Sequence, residues 1–296
     1  RETASVGFGV AMRIAELLAH GRTFSFEFFP PKTDEAQAQL EATIAELAYL
    51  KPSFFSVTYG ALGSTRSRTR DVVVGLARGG TIPPMAHLTC VGHLRSEIDQ
   101  LIGEYVGAGV SNILALGGDL PADQSQLGPS DFRYALDLVA YLRTNFDLSI
   151  GVAAHPEVHP RSPSREVDRR HLADKLRLAD FAVTQFFFDI DHYLRLVDEL
   201  AALGVHKPII PGVMPVTNKG QIARMAQMSG AAIPGWLTDR LAGVEDPADV
   251  RRIGVEVATE LSARLLAAGA PGLHLYTLNR STATREIYAN LGLAPA

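Results

Sequence analysis

Residues 24–31 read Phe24-Ser25-Phe26-Glu27-Phe28-Phe29-Pro30-Pro31. Side chains alternate between the two faces of a strand. Phe24, Phe26 and Phe28 therefore share one face, and Ser25, Glu27 and Phe29 share the other. The aromatic content favours a strand, and the paired prolines end it. Glu27 thus sits near the C-terminal end of an otherwise apolar strand. A carboxylate there is costly unless it has partners or keeps its proton. It reads either as one half of a structural ion pair or as a general acid with a raised pKa.

Further polar groups follow other strand-like runs: Thr58-Tyr59-Gly60, His87 and Thr89, Gly117-Gly118-Asp119, His155, Glu157 and His159, Thr184-Gln185, and Tyr276, Thr277, Asn279 and Arg280. Taken singly, Thr58 and Tyr59 read as strand residues, His87 as a core histidine and Asp119 as a turn residue. Gln185 precedes Phe186, Phe187 and Phe188. A primary amide in such a run needs partners, and a flat heterocycle with donor and acceptor edges supplies them. Arg280 suits either a loop cap or a ligand carboxylate. Two chemistries fit the set. One is metal-dependent hydrolysis by His87, His155, His159 and Asp119, although no His-x-His pair stands on the first strand and no lysine on the fourth bridges two metals. The other binds a planar heterocycle through Gln185 and Asp119, with Glu27 as proton donor. No nucleophile–base pair is evident. A non-catalytic binding module fits least, because two carboxylates share the same set of strand ends.

The elements that position these groups alternate. Strand patterns fall at 24–29, 53–58, 84–89, 111–117, 148–154, 181–187, 208–213 and 272–277, with helical patterns between them and a leading helix over 11–20. Asp246-Pro247 opens a long helix over 247–269 as N-cap and first-turn proline. Alternation implies parallel strands and right-handed crossovers. Eight units imply an α/β fold, a (β/α)8 TIM barrel, whose chemistry sits at the C-terminal strand ends. No linker interrupts residues 1–296, so a single catalytic domain is expected. An open doubly wound sheet would want a Gly-rich phosphate loop after an early strand, and none is present.

The 296 residues are 47% hydrophobic, enough for a large core, and the formal net charge of −4 is spread along the chain. Nothing predicts a nucleic-acid or membrane partner. One cysteine, Cys90, excludes an intramolecular disulfide and a cysteine zinc cluster. The first residues lack a signal-peptide layout, and a cytoplasmic enzyme is the expectation.

Eight motifs, in order and at matching spacing, resemble 5,10-methylenetetrahydrofolate reductase. They are residues 24–31, Ser-Val-Thr-Tyr-Gly (56–60), Ala-His-Leu-Thr-Cys (86–90), Gly-Asp-Leu-Pro (118–121), Pro-Glu-Val-His-Pro (156–160), Thr-Gln-Phe-Phe-Phe-Asp (184–189), Ile-Ile-Pro-Gly (209–212) and Tyr-Thr-Leu-Asn-Arg (276–280). The likeness is to the short bacterial form, a catalytic barrel without a regulatory domain. It implies reduction of 5,10-methylenetetrahydrofolate to 5-methyltetrahydrofolate, with electrons passing from NAD(P)H to bound FAD and on to folate. No dinucleotide fingerprint separates NADH from NADPH. The resemblance makes Glu27 the general acid that protonates N10 as the ring opens to a 5-iminium ion. It places Asp119 and Gln185 on the pterin, and Gln221, Tyr276 and Arg280 along the folate or nicotinamide side. The flavin contacts that carry over are Thr58, Tyr59, His87, Gly118, Asp119, Tyr134, Ala135, Ala153, His159, Asp168 and Lys175.

Four flavin positions depart from the resemblance. Gly117 stands for an Arg, His155 for a Tyr, His171 for an Asn and Asp174 for an Arg. Met225 replaces an aromatic near the nicotinamide. Charge-assisted contacts contribute roughly 1.5–3 kcal/mol each, so losing two weakens a pyrophosphate by about two to four powers of ten. Arg169 and Arg170 stand nearby as candidate replacements. FAD is therefore expected to bind weakly or not at all, with hydride passing directly from the nicotinamide cofactor to the folate iminium.

Overall fold

The computed structural model describes residues 12–59, 64–118 and 129–295. Gly60 and Asp119 lie outside the described residues. Among the described residues, nine parallel strand segments form one sheet: β1 (Thr23–Phe28), β2 (Phe54–Val57), β3 (Pro84–Thr89), β4 (Asn112–Leu116), β5 (Ser149–Ala154), β6 (Phe181–Thr184), β7 (Ile209–Ile210), β8 (Gly212–Val213) and β9 (Gly272–Tyr276). Their order is β7-β6-β5-β4-β3-β2-β1-β9-β8. Only Pro211 separates β7 from β8. Proline has no N–H to give the ladder, yet Pro211 O still accepts from His274 N at 2.9 Å. β7 pairs with β6 and β8 pairs with β9. The two pieces are one barrel strand, and they close the ring. The eight strands expected from the alternation are the barrel observed.

Two segments differ from the sequence reading. Strand six stops at Thr184, three residues early. Gln185 N still bonds Ala154 O at 2.8 Å, but the Gln185 side-chain oxygen then takes the N–H of Phe186 at 3.1 Å and turns the chain out of the ladder. Phe186 and Phe188 pack with Met214 and Val216 under helices α8 (Lys219–Ser229), α9 (Gly235–Leu241) and α10 (Pro247–Ala267), in a satellite core. The second difference is a helix over Thr282–Asn290, α11. It is short, and its buried face is only Ala283, Thr284, Ile287 and Tyr288. It is held by Tyr288, whose ring meets Phe26 at 5.1 Å and Phe24 at 6.1 Å.

The outward face of β1 is therefore an aromatic seam, with Phe28 also meeting Phe55 at 5.4 Å. Phe26 and Phe28 are fully buried. Each such ring stabilises the fold by roughly 1.5–3 kcal/mol, which anchors the strand that carries Glu27. Inside the barrel the lower layer is apolar: Phe54, Met85, Leu114, Phe181, Val183 and Ile210 pack on Ile14. Ile14 comes from the leading helix α1 (Ile14–His20), whose first backbone N–H groups are taken by Asn112 Oδ1 at 2.8 Å and Ser149 Oγ at 3.1 Å. The floor is thus plugged, and the polar groups collect above it. Among the described residues, no helix is long and apolar enough to cross a membrane.

Candidate active site

Strand register builds the first cluster. β1 and β9 pair with Ser25 opposite His274 and Glu27 opposite Tyr276. Alternation turns all four side chains toward the lumen. Glu27 Oε2 lies 3.0 Å from Nε2 of His274 and 3.4 Å from Nε2 of His87. Ser25 Oγ backs His274 at 2.8 Å from Nδ1, whereas Ser56 Oγ lies 2.7 Å from the same His87 Nε2 that faces Glu27. The Glu27 side chain keeps 14% of its surface, while His274 keeps none. Burial, opposed by the nearby Glu27 carboxylate, pushes His87 down to about 4. The backbone is fixed as well, since Thr277 Oγ1 donates to Glu27 O at 2.6 Å. Tyr276 reaches across to donate to Thr184 O at 2.7 Å. Gly212 makes room for that ring: a Cβ there would lie 2.7 Å from Tyr276 Cε2 and 2.3 Å from Thr184 O.

The second cluster stands on the opposite wall, at β4, β5 and helix α6 (Arg165–Leu178). Lys175 Nζ donates to Ala153 O at 3.2 Å. Burial pulls its ammonium down to about 8 against the field of Asp168. Asp168 Oδ1 accepts from His159 N at 3.2 Å. The rings of His155 and His159 meet edge to face at 4.5 Å. Burial first, then the positive charges of His159, Lys175, Arg169 and Arg161, drive His155 down to about 3. The 155–161 loop is strapped down from below by Arg169, which donates to the carbonyls of His155 at 3.1 Å, Pro156 at 2.8 Å and Glu157 at 3.2 Å. It is latched sideways by Glu157, whose two carboxylate oxygens take Ala232 N at 2.9 and 3.1 Å.

The carboxyl group on β1 thus stands across the lumen from a cationic wall at β4–β5. Residues 13–292 match the sequence model of methylenetetrahydrofolate reductase. The chain belongs to the methylenetetrahydrofolate reductase family. It is 38% identical to the 5,10-methylenetetrahydrofolate reductase of Pectobacterium carotovorum over 273 residues, covering 92% of this chain and 90% of that one. It is also 38% identical to the Escherichia coli protein of the same name, over 92% of this chain and 91% of that one. The Arabidopsis thaliana methylenetetrahydrofolate reductase (NADH) 1 is 35% identical, over 96% of this chain and 51% of that one. Among solved structures, a Clostridium thermocellum protein that binds two copies of 5-methyl-5,6,7,8-tetrahydrofolic acid shares the fold, with a TM-score of 0.66, 14% identity and coverage of 93% and 96%.

The other residues singled out in the sequence lie at several strand ends and helix starts. Thr58 directly follows β2, where its N–H bonds Phe28 O at 2.9 Å. Tyr59 bonds His93 Nε2 at 2.8 Å with Arg66 over its ring at 5.9 Å, and burial pushes its phenol up to about 12. Gln185 lines a narrow cleft with His155, Glu157 and Phe186, on the wall between the clusters. Gln221 lines a second cleft with Met214, Thr217, Met225 and Leu278. Arg280 is exposed beyond β9, after Leu278 and Asn279 in left-handed backbone. Tyr134 stands exposed as the N-cap of helix α5 (Ala135–Asn145), with Arg133 at 5.1 Å over its ring. For the hydrolase reading, His87 joins Glu27 whereas His155 and His159 join Lys175 and Asp168. Among the described residues, no three His, Cys, Asp or Glu side chains converge as metal ligands.

The charge account at the cationic wall is not the one read from sequence. Asp174 is already paired with Arg177 on the outer face of α6, so it opposes an incoming anion less than its position suggests. Arg170 is spent on Glu166 at 2.6 Å. Arg169 is 3% exposed and committed to Asp168, Glu199 and the loop carbonyls. Neither has a free guanidinium to offer. Arg161 reaches the tip of β4 instead: its Nη2 lies 3.8 Å from the position of a Cβ on Gly117 and donates to Gly118 O at 3.2 Å.

Sequence reasoning missed His274, Ser56 and Arg161, and saw Ser25 only as a face-mate of Glu27. A signal for His274 was present. Tyr276 marks the inward face of the last strand, and the residue two earlier shares it.

Proposed function

We propose that the chain reduces 5,10-methylenetetrahydrofolate to 5-methyltetrahydrofolate with NADH or NADPH, without a tightly held FAD. In this reading residues 1–296 act as one catalytic domain. The observation that carries it is the Glu27 carboxyl at the lumen mouth, braced by His274 and Ser25, in a chain of this family.

Glu27 is the general acid. As the bond from the methylene carbon to N10 breaks, N10 leaves with the electron pair and takes the Glu27 proton. The carbon becomes an iminium on N5 and accepts hydride, which makes the methyl group and leaves the nicotinamide oxidised. Glu27 must hold its proton until N10 is in place. In the tautomer that carries its hydrogen on Nε2, His274 accepts from Ser25 at Nδ1 and donates to Oε2. The proton then sits on the other carboxyl oxygen, directed at substrate. Gln185 and Asp119 read the pterin edge. Gln221, Tyr276 and Arg280 line the folate side.

The cationic wall suits a diphosphate: Lys175 and Arg161 are cations, and His159 and Gly118 lie beside them. Thr58, Tyr59, His87, Tyr134, Ala135, Ala153, His155 and Asp168 complete the cofactor side. When bound, the nicotinamide supplies hydride. Relative to the flavin-binding pattern, arginines are gone at 117 and 174 and one is returned from a loop. A site with one fewer cation suits a cofactor that leaves after every turnover better than a resident one. Direct transfer needs both substrates bound together, with the reacting carbons about 3–3.5 Å apart. The purified protein is therefore expected to be colourless, active without added FAD, and to give intersecting double-reciprocal lines. Stoichiometric flavin with parallel lines refutes direct transfer. Absence of methylenetetrahydrofolate reduction with either nicotinamide donor refutes the whole reading.

A further inference from the structure

The path of Arg161 is the least ordinary feature of the mouth. The side chain leaves the loop after β5 and ends at the tip of β4, where it bonds Gly118 O at 3.2 Å. Its stem is fixed before any ligand arrives. Pro160, its neighbour in sequence, is seated on the C-cap of α8: a Cβ on Gly230 would lie 2.6 Å from Pro160 Cγ. The Arg161 N–H bonds His159 Nδ1 at 3.1 Å. The strap formed by Arg169 and the latch formed by Glu157 hold the residues before it.

The head of the side chain is exposed. Its side-chain partner is a carbonyl, and no carboxylate among the described residues pairs with it. Of the nearby acids, Asp168 is held by Arg169 and by the His159 N–H. One carbonyl engages only part of a guanidinium, whose planar fork matches two oxygens of a phosphate. Lys175, bonded to Ala153 O, adds a second cation on the same wall. This wall lies across the lumen from Glu27, so an anion here does not compete with the proton donor for folate.

We infer that Arg161 is the phosphate-recognising residue of this mouth, its guanidinium posed beside Gly117 to bind the diphosphate of the dinucleotide that brings electrons. The inference rests on the proposed reduction for the identity of the dinucleotide. Nicotinamide and flavin dinucleotides carry the same diphosphate, and the measurement separates them.

Inorganic pyrophosphate is the probe, used in calorimetry without turnover and as an inhibitor in the assay. Wild type is expected to bind it, competitively with NADH. Arg161→Ala should raise both the pyrophosphate Kd and the NADH KM by about 10- to 100-fold, the range for one charge-assisted contact, with kcat and the folate KM nearly unchanged. Arg161→Lys should recover part of the loss, because charge returns without the fork. If the wild type purifies with flavin, Arg161→Ala should purify without it, and the diphosphate is the flavin's. Unchanged pyrophosphate and dinucleotide binding in Arg161→Ala overturns the inference, as does an equal rise in the folate KM. A wild type that binds pyrophosphate through Arg161 yet reduces no folate refutes the functional reading and leaves this site standing.

Discussion

His274 Nε2 lies 3.0 Å from Glu27 Oε2, although 247 positions separate them along the chain. The contact is diagonal across the β1–β9 pair, since Glu27 itself is opposite Tyr276. His274 is a positioning residue in the proposed mechanism. His274→Ala should lower kcat by about tenfold or more and alter the pH profile of kcat, with the dinucleotide KM unchanged. A purely structural role would lower thermal stability and leave the pH profile alone.

Glu27→Gln keeps the size of the side chain and removes its proton. It should fold and bind folate, yet lose folate reduction by at least about two powers of ten. Wild-type turnover in this variant excludes Glu27 as the acid.

Gln185→Ala tests the pterin edge. Gln185 also holds the turn after β6 through Phe186 N at 3.1 Å, so some stability should go, about 0.5–1.5 kcal/mol. The diagnostic reading is the folate KM, expected to rise while the NADH KM stays put. A change in melting temperature alone would make Gln185 a loop residue and move the pterin elsewhere.

His87 and His155 are held neutral, with pKa values lowered to about 4 and about 3 mainly by burial. Between those values and the ordinary histidine value near 6.5, the unfolded chain binds the extra protons. Stability therefore rises with pH through this window, and is lost as pH falls below about 6.5. Melting temperature followed from pH 7 to pH 4 should fall, and His155→Gln should flatten part of the slope. A melting temperature independent of pH over that range contradicts the burial of both rings.

Lys175 should lose its charge as pH passes through about 8, facing Asp168 and Ala153 O. The dinucleotide KM should rise across that pH in wild type. Lys175→Met should show a raised KM already at pH 7 and no further step near pH 8. A wild-type KM flat from pH 7 to 9 removes Lys175 from the phosphate site.

The sequence by itself determined the strand that carries Glu27, because alternation and the terminal prolines are local and leave little choice of face or end. It determined the barrel, because each helix–strand unit reveals its own period. It also placed Gln185, His155 and His159 near one rim through strand ends, whereas Lys175, within α6, came only from the family resemblance. Only the tertiary structure decided which groups meet. A period of two assigns a face but no partner, so the His274–Glu27 contact waits for the β1–β9 register. Charges counted along a chain do not show where they are spent: Asp174 is paired outside with Arg177, and Arg169 is used inside on loop carbonyls. The guanidinium beside Gly117 comes from a loop 44 residues later, since Arg161 follows the path set by Pro160 on Gly230 and Glu157 on Ala232. Side-chain reach depends on that path, and the path is fixed by packing between elements that no local pattern connects.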